Sequence, residues 1–240
     1  MEGSSECGSR QRRYYYRSVV AFDISNTTIK QARDRMYKRM EMLYGAGVVR
    51  KGRSNQMVTL HRACTENPRT FVTTAEEVAR LFEVVQIPRG WRCANVFAGT
   101  NGIAKHSEGG ASWVTNDIST RHETGFHFDA LNPAQWPFEL IGRIDAFVCS
   151  PPFEMLDLVL PDLLARAKKM LILHVPGDFL SNAPEYRRAF IGRLEKRVLV
   201  VAGLPKSNTR RCIWVVIVKN KRLWTSVLKT SASPIPLYLV

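Results

Sequence analysis

The stretch DAFVCSPPFEML, residues 145–156, joins a run of apolar residues to two consecutive prolines and the start of a helical pattern. Proline lacks a backbone N–H and has a fixed φ, so neither a helix interior nor the middle of a sheet accommodates Pro151 and Pro152. We therefore expect a buried strand over 144–149, a stiff extended turn, and a helix over 154–169. The turn carries a hydroxyl, Ser150, before the prolines and an aromatic ring, Phe153, after them.

Short apolar strands alternate with helices on both sides of this turn. The spacing of apolar residues predicts strands over 92–97, 112–117, 125–129, 144–149 and 170–175, and helices over 75–85, 154–169 and 184–194. Two longer strands, 197–202 and 212–218, form a closing hairpin. This pattern predicts an α/β fold, in which a mostly parallel, Rossmann-like sheet has helices on both faces and a C-terminal antiparallel hairpin.

The N-terminal part of the chain has a different character. Residues 1–17 read as a disordered basic tail, and residues 18–65 as a small basic extension that precedes the main domain, 66–240. Within the extension, we expect a helix over 28–44 whose apolar stripe includes Met40 and whose opposite, basic face includes Arg39. A hairpin with a basic turn follows it. The extension is equally compatible with a DNA-gripping unit and with a packing extension of the main domain.

Charge is distributed unevenly along the chain, whose net charge is +14. Residues 1–65 carry +8 and residues 187–229 carry +11, whereas the segment between them carries −5. Two basic ends around a mildly acidic middle are typical of a small-molecule site between surfaces that hold a polyanion, so we expect a nucleic-acid partner. The basic residues expected to contact it lie in the hairpin turn and in the loop before the last strand: Lys51, Arg53, Lys206, Arg210 and Arg211.

Several other classes of protein do not fit the sequence. No apolar run approaches the roughly 18 residues of a membrane helix, and the polar N-terminus lacks the apolar core of a secretory signal. We therefore expect an intracellular protein, nuclear or cytoplasmic, without a membrane partner. The five cysteines show no CxxC spacing and no Cys/His cluster, so neither a metal site nor a disulfide framework is predicted. A protein partner or a homodimer is compatible with the sequence.

Polar and glycine residues follow consecutive predicted strands, at the edge where ligands bind in sheets of this kind. Gly99 and Gly102 follow the first strand and permit a tight turn with close backbone approach to a ligand. Asp117 follows the second strand and can accept hydrogen bonds from ribose hydroxyls, and Asp129 follows the third, placed to accept from an adenine amine. Taken singly, either aspartate is equally explained as a helix or turn cap.

Together these features resemble the class I S-adenosylmethionine-dependent methyltransferases, in the branch that methylates amino groups in nucleic acids. The residues Ser150-Pro151-Pro152-Phe153 are similar to that branch's Asp/Asn/Ser-Pro-Pro-Tyr/Phe catalytic turn, and FAGTNG (97–102) resembles its FxGxG cofactor loop. The segment 71–82 resembles its upstream motif, without the usual proline. The resemblance spans about residues 70–218. Asn101 stands where the loop usually has its second glycine, and Asn95 where the first strand usually ends in an acid.

The resemblance implies S-adenosylmethionine (SAM) as cofactor and methyl transfer to an exocyclic amine of a DNA base, adenine N6 or cytosine N4. Ser150 Oγ and the Pro151 carbonyl would accept the amine hydrogens, and Phe153 would stack on the flipped base. The implied cofactor-binding residues are Thr73, Thr74, Phe97, Ala98, Gly99, Thr100, Asn101, Gly102, Asp117, Ile118, Asp129 and Ala130. The alternatives are a catalytically degenerate nucleic-acid-binding subunit, which Asn95 and Asn101 favour, and a methyltransferase acting on an RNA or protein amine.

Two further groups near the predicted site are given structural roles. Cys149 precedes the prolines and ends an apolar strand, so a buried thiol is a better reading than the nucleophile of a carbon-5 cytosine methyltransferase. The histidines 106, 122, 127 and 174 show no metal-ligand spacing, and we expect them to be structural.

Overall fold

The computed structural model describes residues 29–44, 73–107, 109–132, 135–140, 143–181, 183–194, 198–202 and 212–229. The helices are α1 (Ile29–Tyr44), α2 (Ala75–Val84), α3 (Gly102–Lys105), α4 (Leu156–Arg166), α5 (Glu185–Gly192) and α6 (Trp224–Val227). The strands are β1 (Arg92–Asn95), β2 (Ser112–Thr115), β3 (Ala146–Cys149), β4 (Met170–Pro176), β5 (Val198–Ala202) and β6 (Cys212–Val218). The predicted tail 1–17 and the predicted basic hairpin lie outside the described residues.

The six strands form one sheet in the order β2-β1-β3-β4-β6-β5. The neighbours of β1 and β3 run parallel to them, whereas β6 is antiparallel to both β4 and β5. This confirms the predicted α/β fold with a mostly parallel sheet and a C-terminal antiparallel pair. The strand order reverses direction at β1, so the crevice between β1 and β3 is the switch point at which such sheets bind ligands.

Side chains of the central strands are buried on both faces of the sheet, which explains their nearly continuous apolar sequences. One face, with Phe147, Leu171 and Leu173, packs in a cluster with residues of α1, α4 and α5. The other face, with Val148 and Ile172, packs in a cluster with residues of α2 and α6. Successive residues therefore point alternately to the two helical layers, as the period of two requires.

The predicted strand 125–129 is wrong, although its position beside β2 is right. It makes a single parallel bridge, between Asn116 and Phe126. The ladder stops there because the Asn116 side chain takes the next backbone groups. Its Oδ1 accepts from Phe128 N–H (2.9 Å), and its Nδ2 donates to the carbonyls of Phe128 and Val96 (both 3.1 Å). An amide side chain therefore replaces strand pairing at this edge.

The helix predicted over 154–169 is shorter than expected. A 3-10 turn, Phe153–Met155, leads into α4, which contains a proline, Pro161. Proline offers no N–H to the carbonyl four residues earlier, which is that of Asp157. That carbonyl instead accepts the hydroxyl of Tyr44 (2.6 Å) at the end of α1. The irregularity in α4 is thus satisfied by the N-terminal helix packed against it.

Helix α1 packs against α4 and α5 rather than standing apart from them. Met40 is fully buried in the main core cluster, as its apolar stripe predicts. The prediction that Arg39 lies on a basic outer face is wrong, because Arg39 is buried and pairs with Asp162 of α4. Among the described helices, none is both long enough and apolar enough to cross a membrane.

Candidate functional site

The carboxyl ends of β1 and β2 continue as a paired ladder into the candidate site. Asn95 pairs with Thr115, and beyond the strands Asn116 N–H donates to the Asn95 carbonyl (2.9 Å). Ala98 N–H then donates to the Asn116 carbonyl (2.8 Å). The glycine turn therefore starts directly beside Asp117.

The proline turn leaves β3 at the same level of the sheet. Ala94 pairs with Phe147, and Ser150 directly follows Cys149, the last residue of β3. Because β1, β2 and β3 run parallel, the segments that follow their carboxyl ends leave the sheet at the same edge. The fold thus brings the glycine turn, the first aspartate and the proline turn to one edge.

Asp117 is bound to the glycine turn through its carboxylate. Its Oδ2 accepts from Gly99 N–H (2.7 Å), and its Oδ1 accepts from Ser119 N–H (2.9 Å). A carboxylate has about four acceptor sites, so it retains capacity for ligand hydroxyls. Gly99 has a φ of 51°, and a Cβ built on it would meet nothing within 4 Å, so open space lies over the turn at this residue.

Asn101, which stands at the position of the expected glycine, adopts a left-handed backbone conformation. It has a φ of 63° and a ψ of 27°, the left-handed conformation that asparagine tolerates better than other non-glycine residues. The next residue, Gly102, packs closely on the upstream motif, since a Cβ there would lie 3.1 Å from the Thr73 carbonyl oxygen. Asn101 therefore adopts a backbone conformation that glycine would also allow.

This conformation makes Asn101 sensitive to the kind of replacement. We expect Asn101→Ala to lower the free energy of unfolding by about 1 kcal/mol, because alanine adopts the left-handed backbone conformation less readily than asparagine. Asn101→Gly is expected to change it by less than about 0.5 kcal/mol. Urea denaturation of both variants checks this. Equal losses in the two variants would show that the asparagine side chain, and not its backbone, is what matters.

Asn95 ends β1 with an unpaired donor. It is buried, and its Oδ1 accepts from Phe97 N–H (3.2 Å), while its Nδ2 has no hydrogen-bond partner. Asn101 Oδ1, in the same turn, is also buried without a partner. Buried polar atoms are normally paired, so orphaned groups at both ends of the turn are consistent with a polar ligand that binds there.

The other predicted cofactor residues have mixed surroundings. Thr74 is the N-cap of α2, where its hydroxyl accepts from Glu77 N–H (3.2 Å). Asp129 Oδ1 accepts from Leu131 N–H (2.9 Å), so this carboxylate stabilises its own turn. Ile118 is an exposed apolar side chain beside Asp117, and Ala130 is buried. Ile118 therefore offers an apolar surface to a ligand, whereas Thr74 and Asp129 already have structural roles.

The proline turn is tightly packed at its start. Ser150 and Pro151 are buried, whereas Pro152 and Phe153 are half-buried, and Phe153 packs against the main core cluster. The preceding thiol, Cys149, contacts the Ala94 carbonyl, and burial raises its pKa to about 12. A thiol with so high a pKa is protonated at neutral pH, so Cys149 does not have the properties of a nucleophile.

The sequence pattern did not predict a row of buried polar side chains that begins at Ser150 and continues through His174 to Glu77. The strand register pairs β4 with β3 so that His174 follows Leu173 at the level of Ser150. His174 Nδ1 lies 3.4 Å from Ser150 Oγ, and His174 Nε2 lies 3.7 Å from Glu77 Oε1. The imidazole stacks on Trp214, with ring centroids 4.4 Å apart. No sequence spacing connects these residues, because they lie on separate elements.

His174 is expected to make stability fall in mild acid. Burial lowers its pKa to about 4, against the opposing attraction of Glu77; Ser150 and Trp214 are its other neighbours. Its pKa in the unfolded chain is about 6.5, so the unfolded state binds the proton first as the pH falls. Folding stability is therefore complete above about pH 6.5, and roughly 2–3 kcal/mol is lost on reaching pH 4.5.

Urea midpoints at pH 7 and pH 4.5 measure this loss. In His174→Phe, the loss of folding stability that protonation of His174 causes at pH 4.5 is expected to be absent. In His106→Phe, which replaces an exposed histidine, this loss is expected to remain. An identical pH dependence in the wild-type chain and His174→Phe would refute the prediction.

The predicted nucleic-acid contact residues lie outside the described part of the chain. Lys51, Arg53, Lys206, Arg210 and Arg211 all lie outside it, so the expected nucleic-acid surface stays a prediction. Within the described ranges, no three His, Cys, Asp or Glu side chains cluster closely enough to hold a metal ion.

No family model and no curated protein matches this chain. Among solved structures, it is similar to the SAM-bound magnesium protoporphyrin IX methyltransferase of Synechocystis PCC 6803, at 16% identity and TM-score 0.40, over 82% of this chain and 100% of that one. It is also similar to a dimethyladenosine transferase from Plasmodium falciparum, at 12% identity and TM-score 0.44, over 62% of this chain and 63% of that one. A third similar structure is the protein-(glutamine-N5) methyltransferase of Alicyclobacillus acidocaldarius, at 20% identity and TM-score 0.38, over 61% of this chain and 94% of that one. Likenesses of this size assign neither a family nor a substrate.

Proposed function

We propose that this chain is a SAM-dependent methyltransferase that acts on the exocyclic amine of a DNA base, adenine N6 or cytosine N4. The observation that carries the proposal is the placement of Ser150-Pro151-Pro152-Phe153 at the end of β3, beside the glycine turn that Asp117 binds. A rigid turn with acceptor oxygens, next to a turn with open space, is what methylation of an amine requires.

The residues present fit the cofactor. Asp117 has spare acceptor capacity for ribose hydroxyls, Ile118 offers an exposed apolar side chain to an adenine ring, and Gly99 leaves room for close approach. The orphaned Asn95 Nδ2 and Asn101 Oδ1 provide a donor and an acceptor for the polar end of the ligand. When bound, SAM supplies an activated methyl group on a positively charged sulfur.

The chain's own residues would prepare the amine. An exocyclic amine is a weak nucleophile, because its lone pair is delocalised into the ring. Hydrogen bonds from its two hydrogens to Ser150 Oγ and to the Pro151 carbonyl favour a tetrahedral nitrogen with a localised lone pair. The fixed φ of Pro151 and Pro152 holds these acceptors in place. Phe153 stacks on the extruded base, a contact worth about 1–3 kcal/mol.

The charge of the chain supports a polyanionic substrate. The net charge is +14, and it is concentrated at the two ends of the sequence, outside the acidic middle that contains the site. Such a distribution favours nucleic acid over a small neutral molecule or a basic protein. The same turn can bind any planar amino group, so the base amines of RNA and the amide of a protein glutamine are the competing substrates.

Methyl transfer to a substrate panel tests the proposal. The purified chain is incubated with methyl-tritiated SAM and, separately, with duplex DNA, single-stranded DNA, bulk RNA and a glutamine-containing protein mixture. We expect label in DNA, with Asp117→Ala lowering transfer by weakening cofactor binding. Label only in RNA or protein would overturn the choice of substrate. Absence of label together with absence of SAM binding by calorimetry would favour the catalytically degenerate subunit.

A further inference from the structure

A polar pair buried under the proline turn has no role in the reaction as described so far. His174 has no exposed surface, and Glu77 is 6% exposed. Ser150, His174 and Glu77 contact one another in succession. Ser150 Oγ lies 3.4 Å from His174 Nδ1, and His174 Nε2 lies 3.7 Å from Glu77 Oε1. An apolar pair would fill the same space at lower cost, since each buried polar group must be desolvated.

Glu77 is itself held firmly. It occupies the first turn of α2, where the helix dipole favours negative charge. Its Oε2 accepts from Thr74 N–H (2.8 Å) and from Thr74 Oγ1 (3.2 Å) in a capping box. Its backbone carbonyl accepts the indole N–H of Trp214 (2.9 Å), which fixes α2 over the sheet. The carboxylate therefore faces His174 from a defined position.

This arrangement selects one tautomer of the imidazole. If Nε2 lacked a proton, its lone pair would face the Glu77 carboxylate at 3.7 Å, which is repulsive. A proton on Nε2 turns that contact into an attraction and leaves Nδ1 as an acceptor. Because burial keeps the ring neutral at pH 7, Nδ1 has a free lone pair, and its nearest polar neighbour is the hydroxyl of Ser150.

Resting on the proposed function, we propose that His174, oriented by Glu77, is a positioning residue that accepts the Ser150 hydroxyl proton in a hydrogen bond and so turns the Ser150 oxygen lone pairs toward the amine of the base. A serine hydroxyl is both donor and acceptor and rotates freely, unlike a carboxylate, which only accepts. With its proton directed to His174 Nδ1, Ser150 Oγ serves the amine as an acceptor only. The 3.4 Å separation is long for a hydrogen bond, and we expect it to shorten when a substrate binds.

The tautomer is measurable without any catalysis. Nitrogen-15 NMR of the full chain with labelled histidine at pH 7 distinguishes protonated from unprotonated ring nitrogens, and His174→Phe identifies the resonances of residue 174. We expect Nε2 to carry the proton and Nδ1 to be unprotonated. Ser150→Ala is expected to shift the Nδ1 resonance, whereas Ser226→Ala, at an exposed serine, leaves it unchanged. A proton on Nδ1, or no response to Ser150→Ala, overturns the inference.

A double-mutant cycle tests the consequence for the reaction. His174→Phe keeps a ring beside Trp214 and is expected to lower kcat about 10-fold, the loss of one hydrogen bond, with KM for SAM within about twofold. Added to Ser150→Ala, it is expected to cost nothing further, since His174 acts through that hydroxyl. His174→Asn, which places an amide oxygen near the position of Nδ1, is expected to recover part of the rate.

The outcomes of the two experiments are separable. Additive losses in the cycle would mean that His174 is merely structural and would overturn the inference while leaving methyl transfer intact. The expected tautomer in a chain that methylates nothing would refute the proposed function alone, since the orientation of the Ser150 hydroxyl would stand as found.

Discussion

Replacing Asp157 by alanine is expected to lower the free energy of unfolding by about 3–5 kcal/mol, because it leaves a buried arginine without its counter-charge. Asp157 is 1% exposed. Its two carboxylate oxygens accept from Arg187 Nε and from the Tyr186 hydroxyl, both at 2.6 Å. In the variant, the Arg187 guanidinium keeps its bond to the Phe179 carbonyl (3.1 Å) but loses its charged partner. Urea denaturation monitored by tryptophan fluorescence measures the loss.

An exposed ion pair provides the matched control. Arg80 and Glu83 pair across one turn of α2, and their side chains are 47% and 56% exposed. Such surface pairs contribute little, so Glu83→Ala is expected to change stability by less than about 1 kcal/mol. If Asp157→Ala cost no more than Glu83→Ala, the junction of α4 and α5 would not depend on this charge.

Ser150→Ala is expected to lower kcat for methyl transfer about 100-fold, with KM for SAM unchanged within about twofold. Under the proposed mechanism, the serine hydroxyl localises the lone pair of the amine and contributes little to holding the cofactor, so the effect is expected to fall on the chemical step. Loss of one preorganised hydrogen bond in a buried site corresponds to about 3 kcal/mol at the transition state. Initial rates with saturating DNA and varied SAM measure both constants.

Ser150→Ala is expected to change the stability of the fold little, so a loss of kcat in this variant can be assigned to the reaction. Ser150 lies beyond the last paired residue of β3, and its Oγ contact in the structure is with His174. Ser226→Ala, at an exposed serine of α6, is expected to keep the wild-type rate. A raised KM for SAM with an unchanged kcat in Ser150→Ala would place this residue in cofactor binding rather than in the reaction.

The sequence predicted those parts of the fold that depend on local patterns. Continuous apolar runs such as MLILHV located the buried strands to within two residues at each end, because both faces of a central parallel strand are covered. Two prolines after β3 predicted the strand end and the turn. The same logic set Gly99, Asp117 and Ser150 at one edge, since carboxyl ends of neighbouring parallel strands meet there.

The errors arose where side chains override local pattern. The predicted strand 125–129 is wrong because the side chain of Asn116, twelve residues before Phe128, bonds the backbone of Phe128. The local sequence contains no signal of this contact. The helical pattern predicts Arg39 on the surface, yet Arg39 is buried because Asp162 of α4 pairs with its charge. His174 reads as a structural histidine in an apolar strand; its polar neighbours Ser150 and Glu77 come from other elements. Such contacts depend on tertiary packing, which periodicity alone does not encode.

Under the proposed function, the proline turn binds an exocyclic amine beside bound SAM. Mass spectrometry of nucleosides from duplex and single-stranded DNA, after incubation with the purified chain and methyl-deuterated SAM, tests it most directly. We expect a deuterated methyl group on adenine N6 or cytosine N4, and about 100-fold less of it with Ser150→Ala. Deuterated 5-methylcytosine, or an equal yield of methylated amine from Ser150→Ala, would contradict it.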